Sequence, residues 1–222
     1  MQKENSCIET EERLTAETVA KCWAGYGIQD LVFEFVMLDA WLEYKPFFLE
    51  QGFEKICKAY LLANRASEFE KLPFEKARNK VDEIAAQYRH GLKKMVKELK
   101  QINPQLNALL QKKYDACYSG KEIISILERG FIESRYIVPN PVSRNYPIEG
   151  TGMCWDPLRS SALGHFVSEA ASAVLRYITE DFKVVFPQNN PLQGKISDSD
   201  WTRFKNLFPY FKIKNDEIIS NI

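Results

Sequence analysis

The sequence predicts an all-α fold: an up-and-down bundle of four to six helices with a small mixed extension at the C-terminus. Apolar residues recur at three- and four-residue steps through the first two thirds of the 222 residues. Proline and glycine gather in one long loop, residues 137–157, which holds Pro139, Pro141, Pro147, Gly150, Gly152 and Pro157. Strand-like pieces, Val184-Val185-Phe186 and Tyr210-Phe211-Lys212-Ile213, occur only in the tail. The expected divisions are an N-terminal arm or short helix over 1–26, a bundle over 27–182 and an appendage over 183–222 packed on the bundle.

The elements follow in order. Residues 1–20 carry five Glu against one Lys and one Arg and few large apolar groups, as a frayed helix or arm would. From Ile28, the residues Leu31, Val32, Phe35, Leu38 and Leu42 fall on one helical face, while Phe33, Met37 and Trp41 fall on another. A helix apolar on two faces is central in a bundle or covered by a partner chain. Pro46 marks a break, after which Leu49, Phe53, Ile56 and Tyr60 are expected inward and Gln51, Glu54, Lys55 and Lys58 outward. Residues 64–80 read as a charged connection with one turn of helix. Helical spacing resumes from Val81 to Ile102 and stops at Asn103-Pro104, where Pro104 can open the next helix through Leu106, Leu110, Tyr114 and Cys117. Another helix follows Ser119-Gly120 and ends near Ser134-Arg135-Tyr136. Asp156-Pro157 is a cap and first-turn proline for a helix to about Phe182, burying Leu163, Phe166, Ala170, Val174 and Tyr177. Asp198 or Asp200 would cap a last helix.

Composition narrows the function classes. Thirty basic against 30 acidic residues give zero formal charge, unlike a protein that coats nucleic acid or anionic lipid with its whole surface. No apolar run reaches the roughly 18 to 20 residues that span a bilayer, and the polar opening Met1-Gln2-Lys3-Glu4 is no signal peptide, so a cytoplasmic protein without membrane attachment is expected. The five cysteines are scattered, and His90 and His165 are the only imidazoles, so neither a disulfide framework, a metal site nor a cofactor is expected. Beneath the neutral total, residues 86–113 hold seven Lys and Arg against one Glu, either a solvated helix face or a track for an RNA backbone.

Three stretches, in order and on expected helices, carry a resemblance. Gln51-Gly52-Phe53-Glu54-Lys55-Ile56-Cys57-Lys58-Ala59-Tyr60 resembles the second-helix signature of the HEPN superfamily, the nucleotide-binding helical domains of higher eukaryotes and prokaryotes. His90-Gly91-Leu92-Lys93-Lys94-Met95 is similar to that family's His-Asp-Leu helix start, with Gly91 in place of the acid. Phe131-Ile132-Glu133-Ser134-Arg135-Tyr136 is similar to its Arg-Tyr-Pro helix ending, with Ile137 in place of proline. The resemblance covers residues 28–182. It implies a bundle that commonly dimerises, here through the first helix, and acts in prokaryotic defence, toxin–antitoxin pairs or nucleotide-linked regulation. Many such domains are metal-independent endoribonucleases using an Arg and a His with four to six residues between them. By count only Arg159 and His165 match, and positions six apart lie about 120° out of phase on a helix.

The candidate residues divide accordingly. His90 titrates near neutral pH and suits a phosphate contact or proton transfer at a ribose 2′-hydroxyl; the plainer alternative is a histidine bracing a helix end. His165, beside Leu163 and Phe166, reads first as a satisfied core histidine and second as a catalytic one, with Arg159. Glu54 and Lys58, four apart, pair along a helix. Alternatively Lys58, His90 and Arg135, with Tyr136 alongside, converge into an anion site that Glu54 orients, the Arg135 guanidinium taking two phosphate oxygens at once. Three functions follow: a module binding a nucleotide or RNA phosphate; a dimeric metal-independent endoribonuclease built on His90, His165 and Arg159; or a bundle that only binds a partner protein such as an antitoxin or nucleotidyltransferase.

Overall fold

The computed structural model describes residues 13–37, 45–115, 118–135, 157–186, 189–190, 192 and 194–211, with the side chains of 37, 45, 130–135 and 157–160 excluded. Eight α-helices lie within it: α1 Ala16–Met37, α2 Lys45–Ala63, α3 Phe74–Tyr88, α4 Leu92–Ile102, α5 Pro104–Gln111, α6 Gly120–Arg135, α7 Pro157–Phe182 and α8 Asp198–Leu207. One two-stranded antiparallel hairpin, β1 Lys113–Tyr114 and β2 Tyr118–Ser119, links α5 to α6. The fold is all-α, as the periodicity predicts.

Helix α2 is the axis of the bundle, packed against α1, α3, α4, α6 and α7. Its expected inward residues Leu49, Phe53, Ile56 and Tyr60 are buried. The backbones of α1 and α2 meet where glycine faces glycine: a Cβ on Gly27 would lie 2.6 Å from the Gly52 carbonyl oxygen, and one on Gly52 would lie 2.6 Å from Leu31 Cγ. Only the absence of side chains permits that approach, which leaves no room around α2 for an outward face along this side.

Several expected boundaries move. Helix α1 begins at Ala16 and buries Val19, Ala20 and Ala24, so residues 16–26 belong to the bundle and not to an arm. Helix α3 starts at Phe74, with Pro73 before its first turn, inside the stretch expected to be a connection. The helix expected from Val81 to Ile102 is two helices, broken at Arg89, whose φ of 49° cannot continue α3. Helix α5 stops at Gln111, and Tyr114 reaches the core from a strand, its hydroxyl donating to Glu169 at 2.9 Å. Leu38, Trp41, Leu42, Cys117 and Asp156 lie outside the described residues.

The Asn103-Pro104 corner is built as its sequence suggests: Asn103 Oδ1 accepts from the Leu106 amide at 2.8 Å, and its Nδ2 donates to the Ala173 carbonyl of α7 at 3.4 Å. In the tail, neither expected strand forms a ladder among the described residues, and Lys212 and Ile213 lie outside them. Residues 184–186 are irregular and 209–211 form a helical turn; they pack as side chains, with Val184, Phe186, Tyr210 and Phe211 buried in the same core. Helix α8 is capped by Ser197, whose hydroxyl accepts from the Asp200 amide, so Asp198 and Asp200 are first-turn acids and not the cap. Phe204 of α8 meets Phe35 of α1 edge-on at 6.1 Å, which fastens the appendage to the bundle.

Candidate functional site

Four charged side chains are buried among the described residues: Glu34 of α1 and Glu50, Glu54 and Lys58 of α2. The last three recur every four residues and so form one stripe along α2. Sequence pattern places Glu54 and Lys58 outward, because charge normally marks the solvated face. Here α2 is covered on that side too, and the charges are kept by satisfying one another.

The satisfaction is specific. Lys58 Nζ donates to Glu54 Oε1 at 2.6 Å and to the main-chain carbonyl of Arg89 at 2.6 Å, and it lies 5.7 Å from the centre of the Trp23 ring of α1. The other oxygen, Glu54 Oε2, is 3.2 Å from His90 Nδ1. Glu54 is 4% exposed and the His90 side chain 52%, so a buried carboxylate holds an imidazole that emerges at the surface. A carboxylate only accepts, so Nδ1 carries the proton, and in the neutral ring the lone pair resides on Nε2.

Glu50 sits one turn before Glu54 and receives a hydrogen bond from Gln51 Nε2 at 2.9 Å. Burial first, and then the charge of Glu54, push its carboxyl up to about 9, so at neutral pH Glu50 is a neutral acid. The same surroundings push the buried Cys57 thiol well up and leave it unreactive as a nucleophile.

The chain reaches this corner through strained backbone. Arg89 has φ 49° and ψ −123°, a region that favours glycine, and a non-glycine residue there costs about 1–3 kcal/mol. The nearby glycine, Gly91, has an ordinary φ of −90°. Beyond the turn, α4 buries Leu92, Met95, Val96 and Leu99 and exposes Lys93, Lys97 and Lys100, which fall within an arc of about 60° and span about 10 Å of helix. The first-turn amide of Lys93 donates to Glu128 Oε1 of α6 at 2.7 Å, while Lys93 Nζ pairs with Glu128 Oε2 at 3.1 Å. Lys97 and Lys100 have no ion-pair partner among the described residues. The only acid of α4, Glu98, accepts from the Tyr88 hydroxyl at 2.9 Å; burial and this neighbour push that phenol up to about 12.

Of the sequence-predicted site, the structure brings Glu54, Lys58 and His90 together. It does so with a different role for Lys58: with a carboxylate, a carbonyl and a ring around its ammonium, Lys58 does not face an external anion. The side chains of Arg135 and Arg159, and all of Tyr136, lie outside the described residues. His165 is not a core histidine. Its side chain is 66% exposed and its Nδ1 lies 3.5 Å from Asp115 Oδ1 in the hairpin turn, because the apolar stripe of α7 passes through its neighbour Phe166 instead. Beside it, Lys112 Nζ contacts both oxygens of Glu169 at 2.7 Å. Sequence reasoning does not single out Glu50, Trp23 or the Arg89 carbonyl; the four-residue step from Glu50 to Lys58 is the one visible signal.

Among the described residues no group of three or more His, Cys, Asp or Glu side chains could hold a metal ion, and no helix is long and apolar enough to cross a membrane. No family model matches this chain, and no curated protein or solved structure matches it.

Proposed function

We propose that the chain is a HEPN-like helical module that binds a phosphate of a nucleotide or RNA at the α3–α4 corner, in prokaryotic defence, a toxin–antitoxin pair or nucleotide-linked regulation, as a homodimer through α1. One observation carries the reading: a half-exposed imidazole, held by Nδ1 to a buried carboxylate, stands at the head of a row of exposed lysines on α4. Two features of phosphate recognition are thereby adjacent, a group that can donate to or accept from an oxygen and a line of positive charge. The resemblance adds Arg135 and Tyr136 as further contacts.

Binding of a fluorescent oligoribonucleotide and of a labelled nucleotide, followed by anisotropy over a salt series, tests this. The expected affinity falls with salt, and Lys97→Gln and Lys100→Gln each flatten the logarithmic slope for a single strand by about 0.7. Absence of saturable binding to either probe at low salt discards the ligand and leaves a bundle that binds another protein.

A second reading, a metal-independent endoribonuclease, is favoured by the orientation of His90. With the proton fixed on Nδ1, Nε2 is the basic nitrogen, as general-base attack by a 2′-hydroxyl requires. Arg159 or Arg135 would stabilise the developing phosphorane charge. Cleavage in chelator that is lost in His90→Ala supports this reading. Cleavage that survives both His90→Ala and His165→Ala removes it.

A further inference from the structure

We infer that Lys58 is a positioning residue for His90: its buried ammonium fastens the Arg89 carbonyl to Glu54 and so keeps the imidazole on that carboxylate in a single tautomer. On the proposed reading of the corner as the ligand site, this fixes how His90 meets a phosphate.

Two contacts tie adjacent residues of the turn to one ion pair of α2. Lys58 takes one oxygen of Glu54 and the carbonyl of Arg89, and His90 takes the other oxygen of Glu54. Arg89 and His90 are thus held to α2 at successive positions, one by main chain and one by side chain. The backbone between them is not what the local sequence would choose. A helix ending near a glycine ordinarily places that glycine at positive φ, yet here Arg89 adopts it and Gly91 does not. A part-buried hydrogen bond from the Lys58 ammonium to the Arg89 carbonyl selects the costlier turn. Without it, the chain can transfer the positive φ to Gly91, which carries no Cβ penalty, and His90 then leaves Glu54. Lys58 is suited to this role because it is buried and its ammonium is surrounded by fixed groups on α1, α2 and the turn.

The test reads the imidazole directly, without any ligand. Long-range proton–nitrogen NMR of the full chain at about pH 8, above the ordinary imidazole value of about 6.5, separates a ring protonated on Nδ1 from the Nε2-protonated form that free histidine prefers. With two histidines in the chain, comparison with His165→Gln assigns the His90 signals. The wild type is expected to show Nδ1–H at His90, and Lys58→Met to show reversion to Nε2–H. Because Lys58→Met leaves Glu54 buried without its cation and can fail to fold, the neutral double variant Lys58→Met/Glu54→Gln is measured alongside. The amide that replaces the carboxylate in this double variant can accept from Nδ1 or donate to it, so reversion is attributed to the lost turn only where Glu54→Gln alone keeps Nδ1–H. Lys55→Met, which removes a lysine of the same helix paired with Asp30 at 2.5 Å, is expected to leave the tautomer unchanged. An Nε2–H tautomer in the wild type, retention of Nδ1–H in the folded double variant, or its loss in Lys55→Met as well overturns the assignment. If the tautomers behave as stated while no phosphate probe binds, the positioning role stands and the ligand reading falls.

Discussion

The two histidines of this chain are each set against an acid with a lysine close by in the fold, and they differ in almost everything that matters for chemistry. At the α3–α4 corner the acid, Glu54, is 4% exposed, 3.2 Å from the ring, and shares its second oxygen with a buried lysine. At the hairpin the acid, Asp115, is 25% exposed, 3.5 Å away, and lies in a tight turn with φ 49°. The nearby Lys112 there is engaged by Glu169 and half exposed. In water a contact of that kind is worth little, because solvent screens it and both side chains stay mobile. Out of water the same residue types define a fixed geometry, because a buried charge without its partner is costly. Burial of the acid, and not the pairing of residue types, is what makes one histidine a candidate and the other a surface group.

The largest expected effect that separates the two regions is on stability. Lys58→Met strands a buried carboxylate and should cost roughly 3–5 kcal/mol, whereas Lys112→Met should cost less than about 1 kcal/mol; paired urea denaturation curves measure both, and equal losses would erase the distinction.

A second effect appears in pH dependence at the corner. Glu50 is held near 9 in the folded chain against 4.5 for an ordinary Glu, so between those values the folded state retains a proton that the unfolded state has released. Stability therefore declines as pH rises through that window, with the full cost present only above about 9. Glu50→Gln should raise the melting temperature at pH 8 and flatten its dependence between pH 5 and 9, and a profile identical to wild type would show that Glu50 titrates normally.

The smallest effect is at the rings themselves. Both rings are at least half exposed, so His90→Ala and His165→Ala should each change stability by less than about 1 kcal/mol, while only His90→Ala should weaken oligoribonucleotide binding in the anisotropy assay. An equal loss of binding in both would place the ligand between the two regions.

What can be read in the sequence follows the same line. Helical periodicity locates most of the bundle because apolar burial is a property of one helix face, visible in a window of ten or so residues. The Asn103-Pro104 corner and the Gly120 and Pro157 helix starts are legible because proline and glycine act on their own backbone. The Arg89 turn is not, because its left-handed φ falls on a residue with no local preference for it and is held by a lysine 31 positions away. The burial of Glu54 and Lys58 is hidden for a related reason: their four-residue spacing reads equally well as an exposed pair, and only the crowding around α2 distinguishes the two. The hairpin escapes notice because Tyr114 and the segment before it continue a helical apolar spacing while β1 and β2 are two residues each, too short to show alternation.

Helix α4 is pinned at both ends. Lys58 and Glu128 hold the chain at its head, and buried Asn103 fastens its foot to α7. The separations among Lys93, Lys97 and Lys100 at their Cα atoms are therefore set by the helix and do not adjust to a visitor. A rigid gauge of this kind shifts the ordering entropy of an encounter onto the other molecule. If the α4 lysines meet a polyanion as proposed, such a gauge discriminates by the spacing of charges along that molecule more than by their number.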